Sequence, residues 1–337
     1  MILLRKILFP LAFLYWLITF IRNWLYDSGI FKSHSFDIPM IAVGNLSVGG
    51  TGKTPQIEYL IRLLSDKYKV AVLSRGYKRS THGFILANEN ATASSIGDEP
   101  FQFYSKFPNI QVAVDANRKN GIENLLQLQD KPDVILLDDA YQHRKVKAGF
   151  YILLTAYDDL FCDDYILPFG NLREPSSGKK RADMIIVTKC PNDLSEIAQQ
   201  KIREKLKVKQ QVFFTTIQYD DYVFGNDSQL LVSEIQSESK VLVAGIAKPK
   251  LFFDFLKNEK DETLVFPDHH HFSKQDCEQI LAKANGRKII TTEKDFVRLN
   301  GLLPKEQLFY LPIKSTFLNT NIDKTIEDYV GQSSRNS

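Results

Sequence analysis

The segment that decides the fold runs from Met40 to Thr54 and reads MIAVGNLSVGGTGKT. It opens with a short apolar run typical of a buried strand, passes through glycines, and leads into apolar residues at helical spacing. Such glycines let backbone N–H groups turn inward around phosphate oxygens at the start of a helix. Lys53 is expected to reach the β- and γ-phosphates of a nucleotide, and Thr54 to bind Mg²⁺. The segment therefore predicts a phosphate-binding loop.

The loop departs from the strict pattern at one position, because Ser47 stands where a glycine is usual. This weakens the pattern match but leaves the loop chemistry intact, and a glycine-rich turn without a ligand is the alternative. The residues expected to contact the nucleotide are Ser47, Val48, Gly49, Gly50, Thr51, Gly52, Lys53 and Thr54.

A second apolar run, Val134 to Leu137, ends in Asp138 and Asp139. A buried strand would deliver these carboxylates to the carboxyl edge of a parallel sheet, where the phosphates are expected to lie. An acidic pair after a strand also caps turns. Combined with the phosphate loop, the pair predicts a Mg²⁺ site.

Further short apolar runs separated by helical or loop segments are typical of an α/β fold with a largely parallel sheet. They lie at 70–73, 112–114, 151–154, 184–187, 241–243, 288–291 and 308–311. We expect a P-loop NTPase-like core at 31–210, a two-stranded β-ribbon linker at 211–235, a smaller α/β domain at 236–330 and a loose tail at 331–337. The ribbon is expected to pair residues 212–217 with residues 222–224.

The length and composition agree with two globular domains, since the chain has 337 residues, 44% of them apolar and 25% charged. A net charge of +3, spread over the chain, does not indicate nucleic acid as a partner. The 3 cysteines lie far apart and without CxxC spacing, so neither a disulfide framework nor a thiolate zinc site is predicted. A reducing cytoplasm fits this cysteine usage.

The N-terminus carries an uncharged run from Ile7 to Ile21. As a helix it would extend about 22 Å, which is short of a hydrocarbon core of ~30 Å. A signal peptide and a buried first helix are the alternatives. Trp16 and Trp24 near basic residues favour the headgroup layer, so residues 1–30 are predicted to form a monotopic, partly inserted membrane anchor helix.

Other titratable groups are candidates for the same sheet edge. Asp98 and Glu99 are expected in a short acidic loop, with Asp98 as a base or Glu99 as a metal ligand, and an exposed acidic turn without a function is the alternative. The segment FPDHHHF holds His269, His270 and His271, for which metal binding, packing, or a base oriented by Asp268 are the alternatives.

The run TKCP, which follows residues 184–187, bears on whether the nucleotide is ATP or GTP. The guanine-reading NKxD signature requires aspartate where this chain has Pro191, so ATP is the expected nucleotide. A GTPase and a non-catalytic nucleotide-binding membrane protein remain the alternatives to a kinase.

The chain resembles the tetraacyldisaccharide 4'-kinases, the lipid A kinases of Gram-negative bacteria, over about Ile41 to Leu299. The motifs that carry the resemblance are VGNLSVGGTGKTP, SRGY, GDEP, LDDAYQH, LREP, VAGIAKP, FPDHHHF and TTEKDF. The resemblance implies transfer of the ATP γ-phosphate to the 4'-hydroxyl of a tetraacylated disaccharide 1-phosphate. It also implies action at the cytoplasmic face of the bacterial inner membrane, with the active site in a cleft between two domains. No obligate protein partner is inferred.

The resemblance also implies residue roles. Lys53 and Asp98 are implied as catalytic residues with His269 as the partner of Asp98, and Thr54, Glu99, Asp138 and Asp139 as the metal side. The implied substrate-facing residues are Arg75, Tyr77, His143, Arg173 and Glu174. The family commonly has DDGFQH, where this chain has Ala140 and Tyr141, and this difference bears on how closely the backbone approaches at that turn.

The phosphate loop generates the first prediction. Lys53→Ala should abolish kinase turnover and leave the fold intact, because Lys53 is expected to face phosphate rather than the core. Phosphate transfer from ATP measures the first effect, and circular dichroism measures the second. A purified variant with unchanged kinase activity would remove the phosphate-loop assignment.

Overall fold

The apolar run before the phosphate loop forms the centre of a largely parallel sheet. The computed structural model of the chain describes residues 8–268 and 270–335. Within them, nine strands form the first sheet in the order β15-β8-β7-β6-β1-β5-β2-β4-β3. Their bounds are β1 Met40–Asn45, β2 Val70–Ser74, β3 Ile85–Leu86, β4 Gln111–Val114, β5 Val134–Asp138, β6 Phe150–Ala156, β7 Met184–Thr188, β8 Gln211–Tyr219 and β15 Ile313–Phe317.

The strands of this sheet are parallel except at its two edges, where β3 pairs antiparallel with β4 and β15 pairs antiparallel with β8. Strand β1 lies between β5 and β6, and every residue of β1 is buried. The predicted apolar runs are confirmed as strands. They are continuously apolar because a sheet that is covered on both faces buries every strand position. The carboxyl ends of β1 and β5 consequently meet at one edge.

Helices cover both faces of the first sheet. Their bounds are α1 Phe9–Asp27, α2 Lys53–Leu64, α3 Ala93–Ile96, α4 Asp98–Lys106, α5 Arg118–Leu126 and α6 Glu196–Leu206, with a 3₁₀ turn at Ser176–Arg181. Helix α2 begins directly after the phosphate loop and buries Ile57, Leu60, Ile61 and Leu64 against the sheet. This apolar stripe at helical spacing fixes the direction in which the start of α2 points.

A second, six-stranded sheet follows in the described chain, in the order β10-β9-β14-β13-β11-β12. Its strands are β9 Tyr222–Phe224, β10 Gln229–Leu231, β11 Val241–Ala244, β12 Glu262–Val265, β13 Ile289–Thr292 and β14 Leu308–Leu311. Its helices are α7 Val232–Ser237, α8 Lys250–Leu256, α9 Lys274–Ala284 and α10 Glu293–Leu299, and α11 Asp323–Arg335 ends the described chain. The α/β fold class with a second, smaller unit is confirmed.

The expected ribbon pairing is wrong. Residues 212–217 lie in β8, which pairs with β7 and with β15, whereas β9 pairs with β10 and β14 in the second sheet. Both candidate segments are rich in β-branched and aromatic residues, and such composition predicts strands without selecting their partners. The antiparallel pair β8–β15 is the connection that leaves the first sheet and returns to it. After β15, Ile326 and Val330 of α11 pack into the core of the first sheet.

Helix α1 lies on the surface with one apolar face exposed. Phe13, Leu14 and Ile18 are each more than half exposed, whereas Ala12 is buried. Among the described residues no helix is both long enough and apolar enough to span a membrane. Residues 1–7 of the predicted anchor lie outside the described residues.

A buried ionic chain joins the two sheets. Glu58 on α2 accepts a hydrogen bond from Lys106 on α4 at 2.8 Å, and Lys106 also pairs with Glu293 on α10. Glu58 further accepts from Gln102 at 2.9 Å and from Arg62 at 2.8 Å. Burial, together with the nearby Glu58 carboxylate, raises the pKa of Glu293 to about 7. Lys106 therefore neutralises two carboxylates that would otherwise repel each other across the domain contact.

This chain generates the second prediction. Lys106→Met should lower the free energy of unfolding by about 3 kcal/mol, because it leaves the Glu293 carboxyl group buried without its ammonium partner. Because the pKa of Glu293 is raised in the folded state, its protonated form stabilises the fold at low pH, and this contribution disappears as pH rises toward 7. The decrease in unfolding free energy caused by Lys106→Met should therefore be smaller at pH 5 than at pH 8. Urea unfolding measures both values.

The matched control is Lys119→Met, which removes an exposed pair with Glu123 at 3.2 Å. Lys119→Met should lower the free energy of unfolding by less than about 0.5 kcal/mol at either pH. Equal losses in the two variants would contradict a structural role for the buried chain.

Candidate active site

The phosphate loop takes the conformation that its glycines predict. Gly49 and Gly52 have φ values of 108° and 82°, a region that residues with a Cβ rarely adopt. Gly52 is the N-cap of α2, so the first N–H groups of the helix point toward the loop. The Lys53 side chain is 12% exposed and lies at this helix start. Backbone donors, helix dipole and ammonium group together form an anion-binding site.

The end of β7 supports the loop from outside. Thr188 donates its hydroxyl hydrogen to the carbonyl oxygen of Thr51 at 2.8 Å, and Lys189 donates to that of Gly50 at 2.6 Å. Lys189 has a positive φ of 58°, which turns its side chain back toward the loop. The sequence analysis considered this TKCP run only as a base-reading signature and missed its contacts with the loop backbone. Its position directly after a central parallel strand was the available signal.

The carboxylates after β5 lie beside the loop. Asp138 is buried and accepts a hydrogen bond from Ser74 at 2.9 Å. Asp139, with a φ of 45°, lies 3.7 Å from the Lys53 ammonium and 3.0 Å from the Arg173 guanidinium. The structure thus brings the Lys53 side chain close to Asp139, as the sequence predicted for the loop and the acidic pair, and it adds Arg173 to the same group.

The pKa values of the Asp138 and Asp139 carboxyl groups are shifted in opposite directions. Burial raises the pKa of Asp138, and the neighbouring Glu99 and Asp139 carboxylates raise it further. Burial alone would also raise the pKa of Asp139, but Lys53 and Arg173 outweigh it and lower that pKa. Glu99, Asp138 and Asp139 therefore form a crowded acidic group that a divalent cation would neutralise.

The fit to Mg²⁺ depends on how many ligands the protein itself must supply. Within residues 8–268 and 270–335, no group of three His, Cys, Asp or Glu side chains is arranged to hold a metal ion. Mg²⁺ is usually held by only one or two carboxylates together with substrate phosphates and waters. The acidic group beside the phosphate loop is compatible with that mode.

Asp98 and Glu99 lie in the first turn of α4, whereas the sequence analysis expected a loop. Gly97 has a φ of 96° and separates this helix from α3, so the short acidic segment begins a helix instead of ending a turn. Asp98 is paired with Arg298 of the second unit, whose Nε donates at 3.0 Å. The sequence analysis did not identify Arg298.

The histidine segment is only partly described. His269 lies outside the described residues, so its implied role beside Asp98 stays a prediction. His270 contacts Asp276 at 3.0 Å and stacks on Phe266 with ring centroids 5.0 Å apart. His271 is exposed. The packing alternative therefore describes His270 well.

The expected substrate-facing residues fall into two groups. Arg75 and Tyr77 are exposed, and Arg173 is partly exposed. Glu174 differs from the expectation, because it is 3% exposed and its carboxylate accepts hydrogen bonds from Asn23, Gln142 and Arg181 at 2.7–3.0 Å. Glu174 thus supports the loop that presents Arg173.

His143 is largely buried. Its Nε2 has no hydrogen-bond partner within the described part of the chain. Burial, followed by the charge of Arg118, lowers the pKa of His143 to about 4. Both effects favour the neutral form of this imidazole.

The turn with Ala140 and Tyr141 is tightly packed in spite of its unusual residues. A Cβ placed on Gly44 of β1 would lie 2.7 Å from the Tyr141 Cβ, so the strand and the turn approach closely. The Tyr141 hydroxyl donates to the carbonyl oxygen of Gly178 at 2.8 Å, a bond that phenylalanine could not make. Arg181 lies over the Tyr141 ring at 4.7 Å.

Known proteins resemble the chain over nearly its whole length. Residues 4–330 match the family model described as Tetraacyldisaccharide-1-P 4'-kinase. The Tetraacyldisaccharide 4'-kinase of Flavobacterium johnsoniae is 67% identical over 332 residues, which cover 97% of this chain and 98% of that protein. The protein of the same name from Flavobacterium psychrophilum is 64% identical over 99% of both chains.

A solved structure is similar as well. The crystal structure of LpxK from Aquifex aeolicus in complex with ATP matches with a TM-score of 0.78 and 30% sequence identity, covering 98% of this chain and 99% of that one. The similarity thus includes both sheets and is not confined to the phosphate loop.

Proposed function

The chain belongs to the tetraacyldisaccharide-1-P 4'-kinase family, and we propose that the residues around its phosphate loop carry out the reaction of that family. The enzyme uses ATP to phosphorylate the 4'-hydroxyl of a tetraacyldisaccharide 1-phosphate, which forms lipid IVA in lipid A biosynthesis. The single observation that carries the residue assignment is the convergence of Lys53, Asp138, Asp139 and Arg173 at one sheet edge.

ATP binds with its phosphates at residues 47–54. The N–H groups of the loop and of the first turn of α2 bind the phosphate oxygens, and Lys53 lies against the β- and γ-phosphates. The Asp139 carboxylate lies 3.7 Å from the Lys53 ammonium group and holds it at the loop. Thr188 and Lys189 keep the loop backbone in place from behind.

Mg²⁺ is assigned to the acidic group beside the loop. Thr54, Glu99, Asp138 and Asp139 would hold it, directly or through water. When bound, the ion neutralises charge that develops on the phosphate oxygens during transfer. The support is the position of Asp138 and Asp139 at the end of β5, directly beside the phosphate loop, with the Glu99 carboxylate near Asp138.

Asp98 is assigned as the base. The 4'-oxygen attacks the γ-phosphorus, the bond from that phosphorus to the bridging oxygen breaks, and ADP leaves with the electron pair. The hydroxyl proton passes to the Asp98 carboxylate, directly or through one water. Asp98 is favoured over Asp138 because Asp138 is fully buried and bonded to Ser74. Arg75, Tyr77, His143 and Arg173 face the acceptor in this assignment.

The membrane surface is the proposed location of the reaction, at the cytoplasmic face of the inner membrane. The support is the exposed apolar face of α1, which includes Phe13, Leu14 and Ile18. The opposite side of α1 is bonded to the loops that carry Arg173 and Gln142. Tyr15 donates a hydrogen bond to the carbonyl oxygen of Arg173 at 2.9 Å, and Arg22 donates one to the carbonyl oxygen of Gln142 at 2.8 Å. A helix held in this way would lie in the interface rather than cross it.

The base assignment generates a third prediction. Asp98→Asn and His269→Ala should each lower kcat at least ~10²-fold with little change in ATP affinity, because the hydroxyl loses its proton acceptor. The double variant should be much less impaired than the product of the two losses. Steady-state kinetics with the lipid acceptor and nucleotide-binding titrations supply the measurements.

His270→Ala and His271→Ala are the controls, since His270 is already bonded to Asp276 and His271 is exposed. Both should stay within about threefold of the wild type. Near-wild-type activity of His269→Ala, with a large loss in either control, would transfer the role to that histidine. Near-wild-type activity of Asp98→Asn would remove the base assignment.

The anchor generates a fourth prediction. Replacing both Phe13 and Ile18 by glutamine should raise the KM for micellar acceptor by about tenfold and leave the KM for ATP unchanged. Two side chains of this size contribute roughly 3–6 kcal/mol when fully buried, and only part of this is realised at an interface. Co-sedimentation with phospholipid vesicles should fall in parallel.

The matched control is Ile197→Gln on α6, where the isoleucine is 72% exposed and lies outside α1. It should change neither KM nor vesicle binding. If the double variant binds vesicles like the wild type, the apolar face of α1 is not the membrane contact.

A further inference from the structure

Helix α10 carries the TTEKDF motif, to which the proposed reaction assigns no role. The motif begins in β13 and continues into α10, so it belongs to the second unit. Two of its acidic residues, Glu293 and Asp295, are buried. Buried carboxylates are expensive unless they are paired, so their partners indicate what the helix is built to hold.

Asp295 anchors an arginine. Its side chain accepts hydrogen bonds from the backbone N–H of Gly245 and from the Thr292 hydroxyl, both at 2.7 Å. It also accepts from Nη1 of Arg298, one turn later on α10, at 3.3 Å. Only 5% of the Arg298 side chain is exposed, so the guanidinium is held in one orientation.

The opposite side of the same guanidinium reaches the first unit. Its Nε donates to Oδ2 of Asp98 at 3.0 Å, and its Nη2 pairs with the same oxygen. The two residues are 200 positions apart in the chain, and the contact crosses from α10 to the first turn of α4. Two donors on one oxygen restrict rotation of the Asp98 carboxylate.

Helix α10 also holds the other end of α4, because Glu293 pairs with Lys106. Asp98 and Lys106 are the first and last residues of α4. The same helix of the second unit therefore fixes both ends of the helix that carries the proposed base. A single contact would allow α4 to pivot, whereas two contacts define its direction.

We propose that Arg298 is a positioning residue, which orients the Asp98 carboxylate toward the acceptor hydroxyl from the second unit, with Asp295 as its anchor. This inference rests on the proposed function, specifically on Asp98 as the base. It makes the productive geometry of the base depend on the contact between the two units. A planar guanidinium suits this task because it offers donors on two sides, while an ammonium group acts as a point charge.

The test is a double-mutant cycle on the full chain, with tetraacyldisaccharide 1-phosphate in detergent micelles and ATP as substrates. The variants are Arg298→Gln, Arg298→Lys, Asp98→Asn and the Asp98→Asn/Arg298→Gln double variant. Arg298→Gln should lower kcat roughly 10- to 100-fold, as small misplacements of a reacting group do, with the KM for ATP within about twofold of the wild type. Arg298→Lys should recover part of that loss.

The cycle separates positioning from folding. In the Asp98→Asn background, Arg298→Gln should lower kcat by less than about threefold, because the carboxylate that Arg298 positions is no longer present. Arg287→Gln is the matched control, since Arg287 pairs with Glu262 at 2.7 Å in the same unit, away from α4. It should leave kcat within about twofold of the wild type. If Arg298→Gln fails to fold, Asp295→Asn, which removes the charge of the anchor but keeps its shape, takes its place with the same expected pattern.

The outcomes distinguish the two claims. A large loss in Asp98→Asn with no loss in Arg298→Gln overturns the positioning role and leaves the base assignment standing. Equal fold losses for Arg298→Gln in both backgrounds overturn it as well, because the effect would not pass through Asp98. Near-wild-type activity of Asp98→Asn refutes the base assignment, and with it the inference about Arg298.

Discussion

The close approach between β1 and the turn after β5 is the constraint on which the site depends. Strand β1 pairs with β5 so that Val43 lies opposite Asp138. The phosphate loop that follows β1 and the carboxylates that end β5 therefore emerge side by side. Gly44 allows this approach, because any Cβ there would meet Tyr141. A metal ion at the phosphate loop requires carboxylates close to the loop, and Asp138 and Asp139 supply them. The packing of β1 against β5 therefore determines where a nucleotide and its metal ion can be bound.

The contact between α4 and α10 contains two groups of charged side chains. Glu58, Lys106 and Glu293 form one buried group, and Asp98, Arg298 and Asp295 form the other. Buried ion pairs add little net stability compared with apolar packing, because desolvation offsets much of the Coulomb attraction. Their directional hydrogen bonds instead specify the register of α10 against α4. The proposed orientation of Asp98 by Arg298 depends on that register.

Much of the fold could be predicted from local patterns. The buried parallel strands are continuous apolar runs, and the glycines with Lys53 and Thr54 identify the loop. Pairing could not be predicted in the same way, since β8 finds its antiparallel partner β15 about 100 residues later. Arg298 was missed for a related reason: a lone arginine in a helix is usually on the surface, and only the tertiary contact with Asp98 distinguishes this one. Glu174 was expected to face substrate because the family resemblance implied it, and its motif gives no sign of the three donors that surround it.

Helix α1 shows how one short element can combine two tasks. On its half-buried side, Tyr15, Arg22 and Asn23 donate hydrogen bonds to the loops that hold Gln142, Arg173 and Glu174. Its other side is apolar and exposed. Since the same helix contacts both the proposed lipid surface and the loop that presents Arg173, its tilt in the interface would be transmitted directly to that loop. An acceptor with its acyl chains in the bilayer would then meet a site already oriented toward the surface, without a flexible linker between anchor and active site.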